Sequence, residues 1–135
     1  MVNQFDIRFM KRCFQLAGKG MGNVAPNPLV GAVIVHDNKI IGEGYHKKYG
    51  ASHAEPIAIN SVENKSLLTD STIYISLEPC NHFGNTPPCA DLILKTKFKR
   101  VVISNKDPNP KVNGSGIQKL KEAGIEITTG ILENE

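Results

Sequence analysis

Leu29-Val30-Gly31-Ala32-Val33-Ile34-Val35 restricts the fold more than any other segment, because no polar side chain interrupts it. In an extended chain, alternate side chains face opposite ways. A strand wetted on one face would carry a polar residue at every second position. This one carries none, so both of its faces must be covered, as in the centre of a layered structure. Val30, Val33, Ile34 and Val35 are β-branched and favour the extended form. Asp37-Asn38 then makes a tight turn into a second strand, Lys39 to Tyr45, so the pair reads as a hairpin.

The rest of the chain supplies the covering layers. Residues from about Gln4 to Gly18 read as an amphipathic helix, ended by Gly18, Gly20 and Gly22. A rigid Pro26-Asn27-Pro28 turn leads into the hairpin. A helix follows from about His53 to Val62, then a third strand, Thr72 to Leu77. Pro87-Pro88-Cys89 opens a short helix over Ala90 to Lys95, where a helix start tolerates proline. Arg100 to Ser104 is a fourth strand, residues near Gly116 to Ala123 a last helix, and Ile125 to Thr129 a fifth strand. Strands alternating with helices after an opening hairpin predict an α/β fold: a five-stranded mixed sheet with helices on both faces. At 135 residues the expectation is one domain, residues 1–135.

Composition closes off several functions. The formal charge of +3 helps hold an anion such as a phosphate but gives little reason to expect nucleic acid. Lys95, Lys97, Lys99 and Arg100 read better as a solvated face than as a nucleic-acid surface. No apolar run approaches the ~20 residues that cross a membrane, so no membrane partner is expected. Asp6, Arg8, Lys11 and Arg12 break up the N-terminal apolar residues, which leaves no signal-peptide core. A cytoplasmic location follows as the expectation, and there three cysteines do not serve as disulfides. Cys13 shares its helical pattern with Met10, Phe14 and Ala17 and reads as a packing residue.

The other two cysteines carry chemistry. His53-Ala54-Glu55, Pro79-Cys80 and Cys89 offer one imidazole and two thiolates. Three such ligands leave the fourth position of a tetrahedral zinc ion open, which suits a hydrolytic centre. Glu55 is not needed as a ligand and is free to move protons. H-x-E followed by P-C and a second cysteine is the pattern of zinc deaminases as a class. On a regular helix the side chains of His53 and Glu55 would diverge by roughly 200°. They converge only if the metal sits off the helix's N-terminal end, where an anion is also stabilised. Cys80 and Cys89 each follow a proline at an expected helix start, where a thiolate forms more easily. Three other readings remain: a chance grouping, a Cys80–Cys89 disulfide, and a structural Cys2His2 site closed by His82. The last leaves Glu55 without a purpose. In the hydrolytic reading zinc lowers the pKa of water and Glu55 takes its proton. Glu55 then returns protons to a ring nitrogen and to a departing amine, so ammonia leaves and a carbonyl remains.

Cysteine spacing narrows the class. Nucleoside, cytosine and tRNA-adenosine deaminases carry their cysteines as C-x-x-C, whereas here eight residues intervene in LEPCNHFGNTPPC. With APNPLVGAVIV, GEGYH, HAE and DPNPKVNGSG, that segment closely resembles the pyrimidine deaminase domain of bifunctional riboflavin-biosynthesis deaminase/reductases, over about residues 9–131. The resemblance implies a cytidine-deaminase-like, three-layer α/β/α fold. It implies hydrolysis of the 2-amino group of 2,5-diamino-6-(5-phosphoribosylamino)pyrimidin-4-one, a small phosphoribosyl-pyrimidine. It assigns Zn2+ to His53, Cys80 and Cys89, proton transfer to Glu55, and the substrate pocket to Asn27, His46, Ala54 and His82. From the residues alone, Asn27 is pre-organised between two prolines, while His46 and His82 read almost equally well as satisfied or solvated histidines. Asp107 and Asn109 lie in a Pro-rich loop and read as turn residues.

Two departures from the family pattern bear on substrate. Asn85 stands where the family usually has lysine or arginine before TPPC, and Asn81 replaces a common serine. If that basic residue holds the substrate's phosphate, affinity or substrate identity changes here. A deaminase of another aminated base or nucleotide is therefore the first alternative, and a non-catalytic, zinc-stabilised binding module the second. After Gly130 to Glu135 the family's reductase domain is expected to be missing, which makes this a stand-alone deaminase or one domain of a longer protein. The resemblance also favours homo-oligomeric assembly and a reductase acting as a fused domain or a separate partner.

Overall fold

In the computed structural model the described residues are 3–25, 28–48, 51–80, 88–105 and 114–132. The elements run α1 (Gln4–Gly18), β1 (Gly31–His36), β2 (Lys39–Tyr45), α2 (Ala54–Ser61), β3 (Thr72–Leu77), α3 (Cys89–Thr96), β4 (Arg100–Asn105), α4 (Ser115–Glu122) and β5 (Glu126–Thr129). The sheet order is β2-β1-β3-β4-β5. β1 is antiparallel to both β2 and β3, while β3, β4 and β5 run parallel to one another. The sheet is thus mixed, as the alternating pattern predicts. The antiparallel side comes from the hairpin and the parallel side from two strand–helix–strand units.

β1 is buried along residues 31–35, so the uninterrupted apolar run does mark an inner strand. Its alternation sorts two cores. Ala32 and Ile34 join Ile73 and Ile75 of β3, Val101 and Ile103 of β4, and the inner faces of α2, α3 and α4. Val33 and Val35 join Tyr74, Val102 and the α1 residues Phe9, Met10, Cys13 and Leu16 on the opposite face. The result is three layers, α/β/α, with α1 alone on one side among the described helices. The hairpin turn holds both Asp37 (φ 54°) and Asn38 (φ 60°) in the left-handed region. That geometry matches the right-handed twist of the strands it joins, and Asp and Asn tolerate it better than most residues.

Local chemistry fixes where helices begin. The Asn3 side chain accepts a hydrogen bond from the Asp6 amide at 2.9 Å and caps α1. Between Val62 and Thr72, where the apolar pattern marks no element, a 3-10 helix spans Lys65–Asp70 behind an Asn64 cap, with Leu68 in the core. A segment so short shows no readable period. α2 lies unusually close to β2. A Cβ on Gly44 would stand 2.5 Å from the Ala54 carbonyl oxygen and 2.6 Å from the Ala58 nitrogen. Only glycine permits that approach, and it sets the position of the helix that follows His53.

One polar cluster interrupts the α1 side. Asp6, 1% exposed, accepts hydrogen bonds from Tyr74 Oη at 2.6 Å and from both terminal nitrogens of Arg100 at 2.9 Å. Arg100 also donates to Thr128 Oγ1 at 2.8 Å, so α1, β3, β4 and β5 meet in one charged network.

Candidate metal centre

Three chain ends converge to form the centre. β3 stops at Leu77 and leads through Glu78 and Pro79 to Cys80. Cys89 is the first residue of α3, with Pro88 at its N-cap. His53 is the N-cap of α2, with extended backbone (φ −71°, ψ 170°). The roughly 200° divergence expected for a histidine two residues before a glutamate therefore does not arise. His53 lies outside the helix, and Glu55 points from its first turn.

His53 Nδ1 lies 3.3 Å from Cys89 Sγ and 3.8 Å from Cys80 Sγ, and all three donor atoms fall within 4.8 Å of one another. With Zn–S of about 2.3 Å and Zn–N of about 2.0–2.1 Å, tetrahedral angles set neighbouring N and S donors about 3.6 Å apart. The two observed separations bracket that edge, so the residues fit a zinc ion in size as well as in donor type. Two soft sulfurs and one imidazole nitrogen are a zinc set, not a magnesium or calcium set.

Electrostatics around the sulfurs favour a bound cation. Hydrogen bonding from the Cys89 thiol is the main cause that holds Cys80 well below the usual thiol range, at about 4. His53 and the Cys89 backbone amide, which donates to Cys80 Sγ at 3.1 Å, add to it against the opposing effect of burial. Cys80 thus draws on the N-terminus of α3, the helix opened by Cys89. Sharing a proton with Cys80, and then burial, push the Cys89 thiol far up. His53 is raised chiefly by its hydrogen bond to Cys80. Glu55 is 3% exposed; burial, reinforced by the Cys80 charge, pushes its carboxyl up to about 7.

The remaining predicted site residues divide. His46 is buried and comes to the centre: its ring meets His53 edge-on at 5.3 Å, and its Nδ1 donates to the Ser52 carbonyl at 3.1 Å. Ala54, the first residue of α2, is buried and belongs to the core cluster beneath that helix. Asn27, Asn81, His82, Asn85, Asp107 and Asn109 lie outside the described residues. Cys80 and Cys89 are free thiols, with no disulfide between them. Cys13 stands apart on α1, buried, its thiol donating to the Tyr74 carbonyl at 3.3 Å. One residue that sequence reasoning leaves without a role stands beside the centre. Glu78, between β3 and Cys80, is 3% exposed, and its carboxylate faces the start of α4. The only signal for it is a charged residue between an apolar strand and a ligand.

Comparison with known proteins points the same way. A family model for the cytidine and deoxycytidylate deaminase zinc-binding region matches residues 3–105. The chain is 47% identical over 135 residues to the riboflavin biosynthesis protein RibD of Aquifex aeolicus, covering all of this chain and 37% of that protein. It is 50% identical over 130 residues to a diaminohydroxyphosphoribosylamino-pyrimidine deaminase of Buchnera aphidicola, covering 96% of this chain and 87% of that one. A crystal structure of a Thermotoga maritima diaminohydroxyphosphoribosylaminopyrimidine deaminase/5-amino-6-(5-phosphoribosylamino)uracil reductase superposes with a TM-score of 0.88 at 50% identity. That match covers 96% of this chain and 37% of that one. The chain thus spans little more than a third of the Aquifex and Thermotoga proteins and most of the Buchnera protein.

Proposed function

The chain belongs to the cytidine and deoxycytidylate deaminase zinc-binding family, and from that membership we propose that it deaminates a phosphoribosylated diaminopyrimidinone in riboflavin biosynthesis. The substrate is 2,5-diamino-6-(5-phosphoribosylamino)pyrimidin-4-one. The observation that carries this reading is the His53–Cys80–Cys89 triangle with buried Glu55 in contact with Cys89. His53 Nδ1 and the two sulfurs would hold zinc, which supplies Lewis-acid activation of water near neutral pH.

The chain's own residues account for the proton traffic. Glu55, its carboxyl brought near 7 by burial, can both take and give a proton at working pH. It takes a proton from the attacking water at a carboxylate oxygen. It delivers that proton to the ring nitrogen, then takes the proton left on the added hydroxyl and passes it to the amine at C2. The C–N bond breaks, ammonia leaves, and the carbon becomes a carbonyl. His46, edge-on to His53 and fixed by Ser52, supports the pocket assignment it shares with Asn27 and His82. The deaminated product is then a substrate for reduction. The Thermotoga protein is a deaminase/reductase by name, which supports a reductase, fused or separate, as the next partner. Free thiols at Cys13, Cys80 and Cys89 suit the reducing cytoplasm, and among the described residues no helix is long and apolar enough to cross a membrane.

Zinc-loaded protein incubated with the diaminopyrimidinone phosphate should release ammonia stoichiometrically with substrate loss. No turnover with metal intact rejects the reading. Asn85 favours one competing reading, another aminated base or nucleotide as substrate. Cytidine and deoxycytidylate in the same assay separate the two.

A further inference from the structure

Glu78 takes no part in the donor triangle and moves no proton in the proposed reaction, yet it is one of the few charged residues buried in the described structure. Its carboxylate accepts three backbone hydrogen bonds from the start of α4. Gly114 N–H donates to Oε1 at 2.8 Å, and Gly116 and Ile117 N–H donate to Oε2 at 2.9 and 3.2 Å. α4 lacks any cap of its own, because its N-cap residue is Gly114. A helix start leaves four amides without intrahelical partners. An acid far away in sequence satisfies three amides at this one.

The same contact fixes the segment that carries Cys80. α4 approaches so closely that a Cβ on Gly116 would stand 2.4 Å from the Pro79 carbonyl oxygen. The Glu78 amide donates to the Asn105 carbonyl at 2.8 Å, tying the segment to the end of β4. On its other side, Cys80 O accepts from the Ala90 amide at 3.0 Å and Cys80 Sγ from the Cys89 amide at 3.1 Å. Residues 78–80 are thus suspended between the N-termini of α4 and α3, and Lys119 on α4 pairs with Asp91 on α3 to hold those helices together. With its carboxylate and its backbone both pinned, Glu78 leaves Cys80 little freedom to shift.

We infer that Glu78 is a positioning residue: by capping α4 it fixes where Cys80 Sγ stands and so sets how tightly the centre holds zinc. The inference rests on the metal reading of His53, Cys80 and Cys89. Groups that orient metal ligands from behind typically change metal affinity 10–100-fold when altered. Glu78→Gln keeps the shape but turns a donor toward amides that need an acceptor. Asn3→Ala, which removes the α1 cap far from the centre, is the matched control for a purely structural effect.

Zinc affinity of the full chain, measured by competition with a chromophoric chelator, decides between these roles. Glu78→Gln should bind zinc about 10–100-fold more weakly and alter the thiolate-to-metal absorption of the cobalt-substituted protein. Asn3→Ala should lower the melting temperature and leave zinc affinity unchanged. A folded Glu78→Gln protein with wild-type affinity would overturn the inference and leave Glu78 as a helix cap only. If wild-type protein itself binds no zinc, the metal reading fails and this inference with it. If Glu78→Gln does not fold, wild-type amide exchange decides. Zinc removal should speed exchange at Gly116 and Ile117 but not in α1, and equal protection with and without zinc overturns the inference.

Discussion

Glu55 shows how far a single side chain's environment decides its work. The same carboxyl on a surface would be ionised at neutral pH and serve only as an acceptor. Buried in the first turn of α2 beside a thiolate, it is brought near 7 and can shuttle protons. Glu55→Gln keeps the volume and removes ionisation. Its kcat should fall by about 10²–10⁴-fold while zinc content, measured by atomic absorption, stays at the wild-type level. A non-catalytic binding module would show no turnover to lose and would be little altered by the change. Cys80→Ser has the opposite signature: zinc should be lost on dialysis and activity with it, because serine does not supply a thiolate to a soft site. His53, Cys80 and Cys89 are legible in the sequence because donor chemistry belongs to the residue type and survives any fold. Glu78 is not, because its partners are backbone amides of residues 114, 116 and 117, which no side chain announces.

Among the elements, the centre depends on where α2 and α3 begin. The sequence pattern starts the second helix at about His53, and the structure starts it at Ala54. That single residue matters, since it leaves His53 extended and able to turn its Nδ1 toward two sulfurs. α2 is held in place by backbone contact with Gly44. Gly44→Ala would drive a methyl into the Ala54 carbonyl and the Ala58 amide, which are backbone atoms and cannot rotate away. It should destabilise the fold by about 1–3 kcal/mol and weaken zinc binding along with stability, measured by urea titration and metal content. The inner strands are readable as short unbroken apolar runs, and the helices by the helical spacing of their apolar residues. The 3-10 helix at Lys65–Asp70 is not, because six residues hold too few turns to set a pattern.

The whole molecule is tied across its layers by Asp6, Arg100 and Tyr74. Burial alone would raise the Asp6 carboxyl, but hydrogen bonds and charge from Arg100, with the Tyr74 hydroxyl, outweigh it and hold Asp6 below the usual carboxylate range. A carboxyl lowered on folding adds stability above its unfolded value, about 3.9, and loses it as pH falls through the folded value. Asp6→Asn should therefore destabilise the protein by about 1–3 kcal/mol at pH 7, because Arg100 loses its buried carboxylate partner and keeps only the exposed Glu126 carboxylate, at 3.1 Å, to balance its charge. In urea titrations at stepped pH, the gap between this variant and wild type should narrow below about pH 4. A gap constant down to pH 3 would mean that the network acts through packing alone.

Four things could be read before folding: the kinds of element, the inner position of β1, the hairpin turn at Asp37-Asn38, and the identity of the donors. Each follows from side-chain chemistry or short-range periodicity, which a chain carries in any conformation. The β2-β1-β3-β4-β5 order, the edge-on contact of His46 with His53, and the burial of Ala54 in the core came only with three-dimensional packing. So did the meetings of Asp6 with Arg100 and of Glu78 with the start of α4. Those pairings join residues far apart in the chain, Asp6 and Arg100 through their side chains and Glu78 through backbone amides, and neither leaves a local mark on the sequence.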